Sequence, residues 1–172
     1  MNTKLWIFVV ITVLFLVFTL SRHHNYRFYR FFAFESIICL IILNTNFWFT
    51  EPFTLIHIIS WTFLAISLLL AIHCFILLKV AGFPKGNIED TTELATKGAF
   101  RYIRHPLYCT LIIGGMGAFL KYPTVVGILI LLTLFVFTYA TAKVEEKDNL
   151  KKFGSAYQIY MDNTKMFFPY IF

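Results

Sequence analysis

Five apolar runs organise this chain: Leu5 to Leu20, Phe31 to Leu43, Thr54 to Leu78, Leu107 to Leu120 and Thr124 to Ala142. Segments of this kind approach the roughly 20 residues needed to cross the hydrocarbon of a bilayer. Backbone in lipid must satisfy its own hydrogen bonds, and no period-2 alternation favours strands, so each run is expected to be a helix. The fourth is short, which points to a tilted or incomplete crossing. With 59% hydrophobic and only 14% charged residues, the 172-residue chain lacks the polar surface a soluble domain needs. The expected fold is all-α: one integral membrane bundle of about five transmembrane helices with an amphipathic C-terminal tail helix. Helices one to three fall in residues 1–80 and the rest in 81–172, with no low-complexity linker between them.

Loop charge sets the expected orientation. Arg22, Arg27 and Arg30 mark the first loop, Lys79, Lys85, Lys97, Arg101 and Arg104 the third, and Lys143, Lys147, Lys151, Lys152 and Lys165 the tail. Those 13 of the 15 basic residues share one side of a five-helix layout, leaving Lys4 and Lys121 opposite. The positive-inside rule then puts the N terminus outside and the tail in the cytoplasm. The second loop, Asn44 to Pro52, has no Lys or Arg but carries Phe47, Trp48 and Phe49, as an outer aromatic belt would. A net charge of +6 spread over loops, rather than gathered in one patch, argues for a bilayer partner and against nucleic acid. The first run sits behind Lys4 like a signal peptide, but Ser21-Arg22-His23-His24 offers no small-residue cleavage site, so a retained helix is expected.

Two regions break the pattern of apolar helix and short loop, and both lie on the expected cytoplasmic side. The first runs through Glu93-Leu94-Ala95 and Gly98-Ala99-Phe100 to Arg104-His105-Pro106-Leu107-Tyr108. Pro106 suits the first turn of a helix, which leaves Arg104 and His105 beside free N-terminal N–H groups that favour an anion. Snorkelling of the two cations to lipid headgroups accounts for them equally well. In the second region, helical spacing places Glu146, Leu150, Phe153, Tyr157 and Tyr160 on one stripe, whereas Glu145 continues the face of Thr138 and Thr141. Taken alone, this segment also reads as a solvated charge cluster at a helix end.

Together, Gly98-x-Phe100-x-x-x-Arg104-His105-Pro106-x-Tyr108 and Glu145-Glu146, followed by Leu150, Phe153-Gly154, Tyr157, Tyr160 and Pro169, resemble the isoprenylcysteine carboxyl methyltransferase family and its bacterial and archaeal relatives. Phospholipid N-methyltransferases are more distant kin. The resemblance covers about Asn87 to Phe172. It implies S-adenosylmethionine as cofactor, enclosed by the last two helices, the loop before them and the tail, and a lipidic or prenylated acceptor. Matched onto this chain, the cofactor-binding residues are Thr92, Glu93, Leu94, Ala95, Phe100, His105, Pro106 and Tyr108. The catalytic candidates are Glu145, nearest the acceptor, Glu146 beside it, and Arg104 as a cation. Two departures stand out: Phe100 replaces a tyrosine that contacts cofactor, and Thr141 stands where eukaryotic members carry a substrate-side arginine. Methyl transfer from a sulfonium needs alignment, dryness and a correctly protonated nucleophile, and no metal is implied. A carboxylate acceptor would need a cationic clamp; an amine would need a base such as Glu145.

The NADPH-dependent sterol reductases share a similar Arg-His-Pro-x-Tyr and a similar Phe-Pro-Tyr ending, but their tail is basic where this chain has Glu145-Glu146. A non-catalytic membrane scaffold of the same fold is the third reading. Other features carry less. Gly114-Gly115-Met116-Gly117-Ala118 follows no strand, so it is expected to allow close helix packing rather than to bind a dinucleotide. His57 and His73 are about 160° apart around a helix and cannot share a metal; both are expected in the core or an interface. Glu35, an ionisable group close to the membrane, is a functional candidate or, equally, one half of a structural pair with Arg30, and Cys39, Cys74 and Cys109 are expected to be buried thiols. No Cys-a-a-X ending is present, so the chain is not expected to be prenylated itself.

Overall fold

The computed structural model describes residues 3–20, 26–83 and 91–170. Arg22 and Lys85 of the loop-charge argument, the start of the resemblance at Asn87, and Ile171 and Phe172 lie outside them. The described chain is six α-helices: α1 (Thr3–Leu20), α2 (Arg27–Leu43), α3 (Leu55–Ala81), α4 (Pro106–Phe119), α5 (Val125–Phe153) and α6 (Ser155–Asn163). Short 3-10 turns at Thr45–Phe47 and Gly98–Arg101 complete it. Among the described residues the one strand-like pairing of named partners is a parallel bridge between Ile103 and Lys165.

α4 is the centre of the bundle, packed against α2, α3 and α5, while α1 leans on α2. Its glycines explain how three helices approach so closely. A Cβ at Gly114 would meet Ser67 Oγ at 2.8 Å, one at Gly117 would meet Leu64 at 2.9 Å, and one at Gly115 would meet Leu134 at 2.3 Å. Ser60 and Ser67 of α3 donate to the carbonyls of Gly117 and Thr110 at 2.7 and 2.8 Å, so close approach also satisfies buried hydroxyls. His57 is buried and bridges the carbonyls of Glu51 and Lys121, whereas His73 is exposed on α3. Glu35 accepts from Thr12 of α1.

Two of the helices, α3 and α5, are long and apolar enough to cross a membrane; α1 over Thr3–Val17 and α4 are apolar but shorter. Two of the other three expected crossings fall short for a local reason. α4 has 14 residues, about 21 Å of rise, and α2 is interrupted by Arg27, Arg30 and Glu35. The outward faces remain apolar, with Leu69, Ile72 and Val80 of α3 and Val125, Leu129 and Val136 of α5 exposed, more than a water-facing surface leaves uncovered.

The tail departs from its expected course. α5 does not stop at Ala142 but runs unbroken to Phe153, so Glu145 and Glu146 belong to it. The stripe from Glu146 to Tyr160 is not one helix: Gly154, at φ +57°, ends α5 and redirects the chain into α6. That left-handed conformation is where glycine carries little steric cost. Beyond α6 the chain returns, and Arg104 and His105 donate their backbone N–H to the carbonyls of Lys165 and Met166 at 2.8 and 3.1 Å.

Candidate active site

Pro106 opens α4 as expected, with His105 at its N-cap. This fixes His105 and Tyr108 one turn apart on the same helical end, their rings stacked at 5.6 Å. α5 arrives antiparallel and offers its two consecutive carboxylates there. Neighbouring residues on a helix are about 100° apart, and the two therefore meet different surroundings. Glu145 accepts a 2.5 Å hydrogen bond from the Tyr108 hydroxyl, and its Oε2 lies 3.5 Å from His105 Nδ1. Arg30 of α2 approaches its other oxygen, with Nη1 at 4.0 Å. Glu146 is 3% exposed and accepts from Arg104 Nε at 2.7 Å and Lys143 Nζ at 3.2 Å, with His105 Nε2 at 3.6 Å.

Arg104 in turn donates through Nη1 to the carbonyls of Met161 and Thr164. One guanidinium thus joins the loop before α4, the end of α5 and the chain after α6. Tyr160 ties α6 to the same loop by donating to the Phe100 carbonyl at 2.6 Å. His105 is enclosed by this cluster. Burial works against its protonated form, but the carboxylates of Glu145 and Glu146 outweigh burial and raise its pKa above 6.5. Burial also pushes the Tyr157 hydroxyl up to about 12, against a lowering hydrogen bond from Asn149, so it stays protonated at neutral pH.

A cavity of about 910 Å³ opens beside the cluster, within the range of about 300–1,000 Å³ typical of small-molecule sites. Its polar end is walled by Glu145, Asp148, Asn149 and Lys152 of α5 and by Tyr157 and Tyr160 of α6. Its other end reaches between apolar side chains of α2 and α3, among them Phe34, Ile37, Leu64 and Leu68. Of the residues expected from the sequence, Leu94, Ala95, Phe100, Arg104, His105, Pro106, Tyr108 and Glu145 line it. Thr92 and Glu93 do not. They are exposed, and their backbone N–H groups are spent on the Gly82 carbonyl. Glu146 also lies off the cavity wall, inside its ion pairs.

Two features of the site could not be read from the sequence. Thr141, where an arginine was expected, is wholly buried, and its hydroxyl donates to the Phe137 carbonyl at 2.7 Å. The cations on the cavity wall come partly from α2, as Arg27 and Arg30, which loop charge had assigned only to topology. A separate cavity of about 300 Å³ lies behind Arg104, lined also by Lys143 and Lys165; Lys143 faces that one, not the site. Among the described residues no group of three metal-ligating side chains occurs.

No curated protein and no solved structure matches the chain. The family model for phospholipid methyltransferases matches residues 55–156, from the start of α3 into α6. That span holds the glycine-packed α4, the loop from Leu94 to His105 and both carboxylates of α5, and the chain belongs to the phospholipid methyltransferase family.

Proposed function

We propose that the protein is a multi-pass membrane enzyme that uses S-adenosylmethionine to methylate an amine on a lipidic acceptor, with its site on the cytoplasmic side and its N terminus outside. The observation that carries this reading is the position of Glu145, on the wall of a cavity that is polar at one end and apolar at the other. A reagent from water and an acceptor from the bilayer can meet there. The residues present fit the cofactor: Leu94, Ala95 and Phe100 give an apolar and aromatic wall, while Asp148, Asn149 and the buried His105 give polar groups for hydroxyl and amino-acid functions.

When bound, S-adenosylmethionine supplies a methyl group already activated as a sulfonium, so in-line displacement asks the protein for alignment and exclusion of water. An acceptor that arrives as an ammonium must first lose a proton. The Glu145 carboxylate takes it, held in place by the Tyr108 hydroxyl at 2.5 Å. Glu146 has a different task, as counter-ion to Arg104, and Arg104 pins the loop and tail that close the site. His105 and Tyr108, stacked and buried, hold the floor.

Titration of the purified full chain with S-adenosylhomocysteine and with NADPH tests the reading. Binding of the first and not the second is expected. Binding of NADPH alone would overturn the proposal in favour of a reductase, and binding of neither in favour of a scaffold. Identification of the lipid labelled when membranes are incubated with methyl-labelled cofactor then names the acceptor.

A further inference from the structure

We propose that Arg30 is the positioning residue for the acceptor, holding a phosphate beside the amine that Glu145 deprotonates; this rests on the methyl-transfer reading above. Four cations line the cavity among the described residues: Arg27, Arg30, Arg104 and Lys152. Arg104 pairs with Glu146, which lies off the cavity wall, whereas Arg30 approaches Glu145, which lines it; Lys152 is exposed. Arg30 lines the cavity together with Glu145, 4.0 Å from its Nη1, and with Phe34, one turn further along α2. Its guanidinium lies over the Tyr26 ring at 4.8 Å, which orients the plane, and its side chain is 14% exposed.

Charge complementarity points to the occupant. Arg30 Nη1 and Glu145 Oε1 set a cation and an anion 4.0 Å apart on one wall, from two different helices. A headgroup that carries an ammonium and a phosphate bears the same pair with the signs exchanged. Guanidinium is the side chain best matched to phosphate oxygens, which it can bind in a bidentate fork. The rest of the molecule follows from α2. Phe34 and Ile37 come one and two turns after Arg30 on the same face, and both line the apolar end of the cavity. Arg27 lines the wall one turn earlier. The helix therefore reads, in order, a phosphate and then a hydrocarbon tail. α2 lies wholly outside residues 55–156, so acceptor choice is separated from the segment shared with the family.

The test compares wild type with Arg30→Gln and Arg30→Lys in full-length protein, each first checked for an unchanged unfolding midpoint. Phosphatidylcholine vesicles carry either phosphatidylethanolamine or octadecylamine, a long-chain amine without phosphate. Arg30→Gln is expected to raise KM for phosphatidylethanolamine about tenfold or more, with affinity for S-adenosylhomocysteine kept within about twofold. The preference for phosphatidylethanolamine over octadecylamine should fall by a similar factor, and Arg30→Lys should restore part of it. An unchanged preference, or cofactor affinity falling in step with KM, would overturn the proposal. So would wild-type activity confined to S-farnesylcysteine, a carboxylate acceptor, although methyl transfer itself would stand. Where Arg30→Gln does not fold, the graded loss in Arg30→Lys decides the matter. Loss of S-adenosylhomocysteine binding by the wild type would remove the methyl-transfer reading and this one together.

Discussion

Each end of α4 buries a cation, and the two are held by opposite means. Lys121, just past its C terminus, is 2% exposed; its ammonium sits 3.7 Å from the Trp61 ring centre and 5.8 Å from that of Trp48, with no hydrogen-bond acceptor among the described residues. The rings expected to form an outer aromatic belt are in part turned inward to cage it. His57 seals the same end, its Nε2 lying 3.0 Å from the Lys121 carbonyl oxygen, and Asn44 donates to the carbonyl of Ala118. Arg104, just before the N terminus, is matched instead by a carboxylate and two carbonyls and borders an open cavity. The aromatic end closes a bundle. The carboxylate end, with a second acid facing the cavity, is where we place the proton transfer.

The comparison is most directly broken at Glu145. Glu145→Gln keeps the shape and the hydrogen bond from Tyr108 but removes the carboxylate we propose as the base, and turnover should fall about 10²- to 10⁴-fold. Cofactor affinity should change little, and single-turnover methyl transfer beside S-adenosylhomocysteine titration measures both. A variant with wild-type turnover would place the two ends of α4 on the same structural footing.

A paired stability measurement sharpens the contrast. Arg104→Ala leaves Glu146 buried without its main partner, a loss on the order of 3–5 kcal/mol for a broken buried pair, tempered here by Lys143 at 3.2 Å. Lys121→Met replaces a caged ammonium with an apolar chain of similar length. It gives up a cation–π contact worth about 2 kcal/mol but also the cost of burying charge, which already lowers the Lys121 pKa. Its net effect should be about 1 kcal/mol or less, with no change in cofactor affinity. Thermal unfolding in one detergent reads both, and a larger cost at Lys121 than at Arg104 would reverse the assignment of the two ends.

The smallest effect is in pH. The folded-state pKa of His105 lies above 6.5 because Glu145 and Glu146 outweigh burial. A raised pKa contributes stability that is complete below pH about 6.5 and is lost as the pH climbs through the raised value. The unfolding midpoint of the wild type should therefore decline from about pH 6.5 upward, and His105→Gln should flatten that part of the curve. An equal slope in both proteins would detach His105 from the carboxylates.

Much of the scaffold was legible because hydrophobic runs report helices directly. The runs at Thr54–Leu78 and Leu107–Leu120 became α3 and α4 almost residue for residue, and Pro106 marked a helix start for a stereochemical reason that needs no tertiary context. The tail was harder. Helical periodicity persists across Gly154, so a stripe of apolar residues from Leu150 to Tyr160 could not show that the helix breaks there; the positive φ of a single glycine did that. The separate faces of Glu145 and Glu146 were also visible as helical spacing, but not which face held a cavity.

By itself the sequence determined an apolar helical chain, a loop and a pair of acids arranged as in membrane methyltransferases, because composition, periodicity and motif spacing are local. Only the tertiary structure decided that Thr141 is sealed inside α5 and that Arg30, from a distant helix, reaches Glu145. It also divided two adjacent carboxylates between a closed ion pair and an open cavity. Those outcomes depend on how α2 and α5 lie side by side, with Phe32 stacked on Phe137 at 4.9 Å. Long-range packing of this kind leaves no period in the sequence to read.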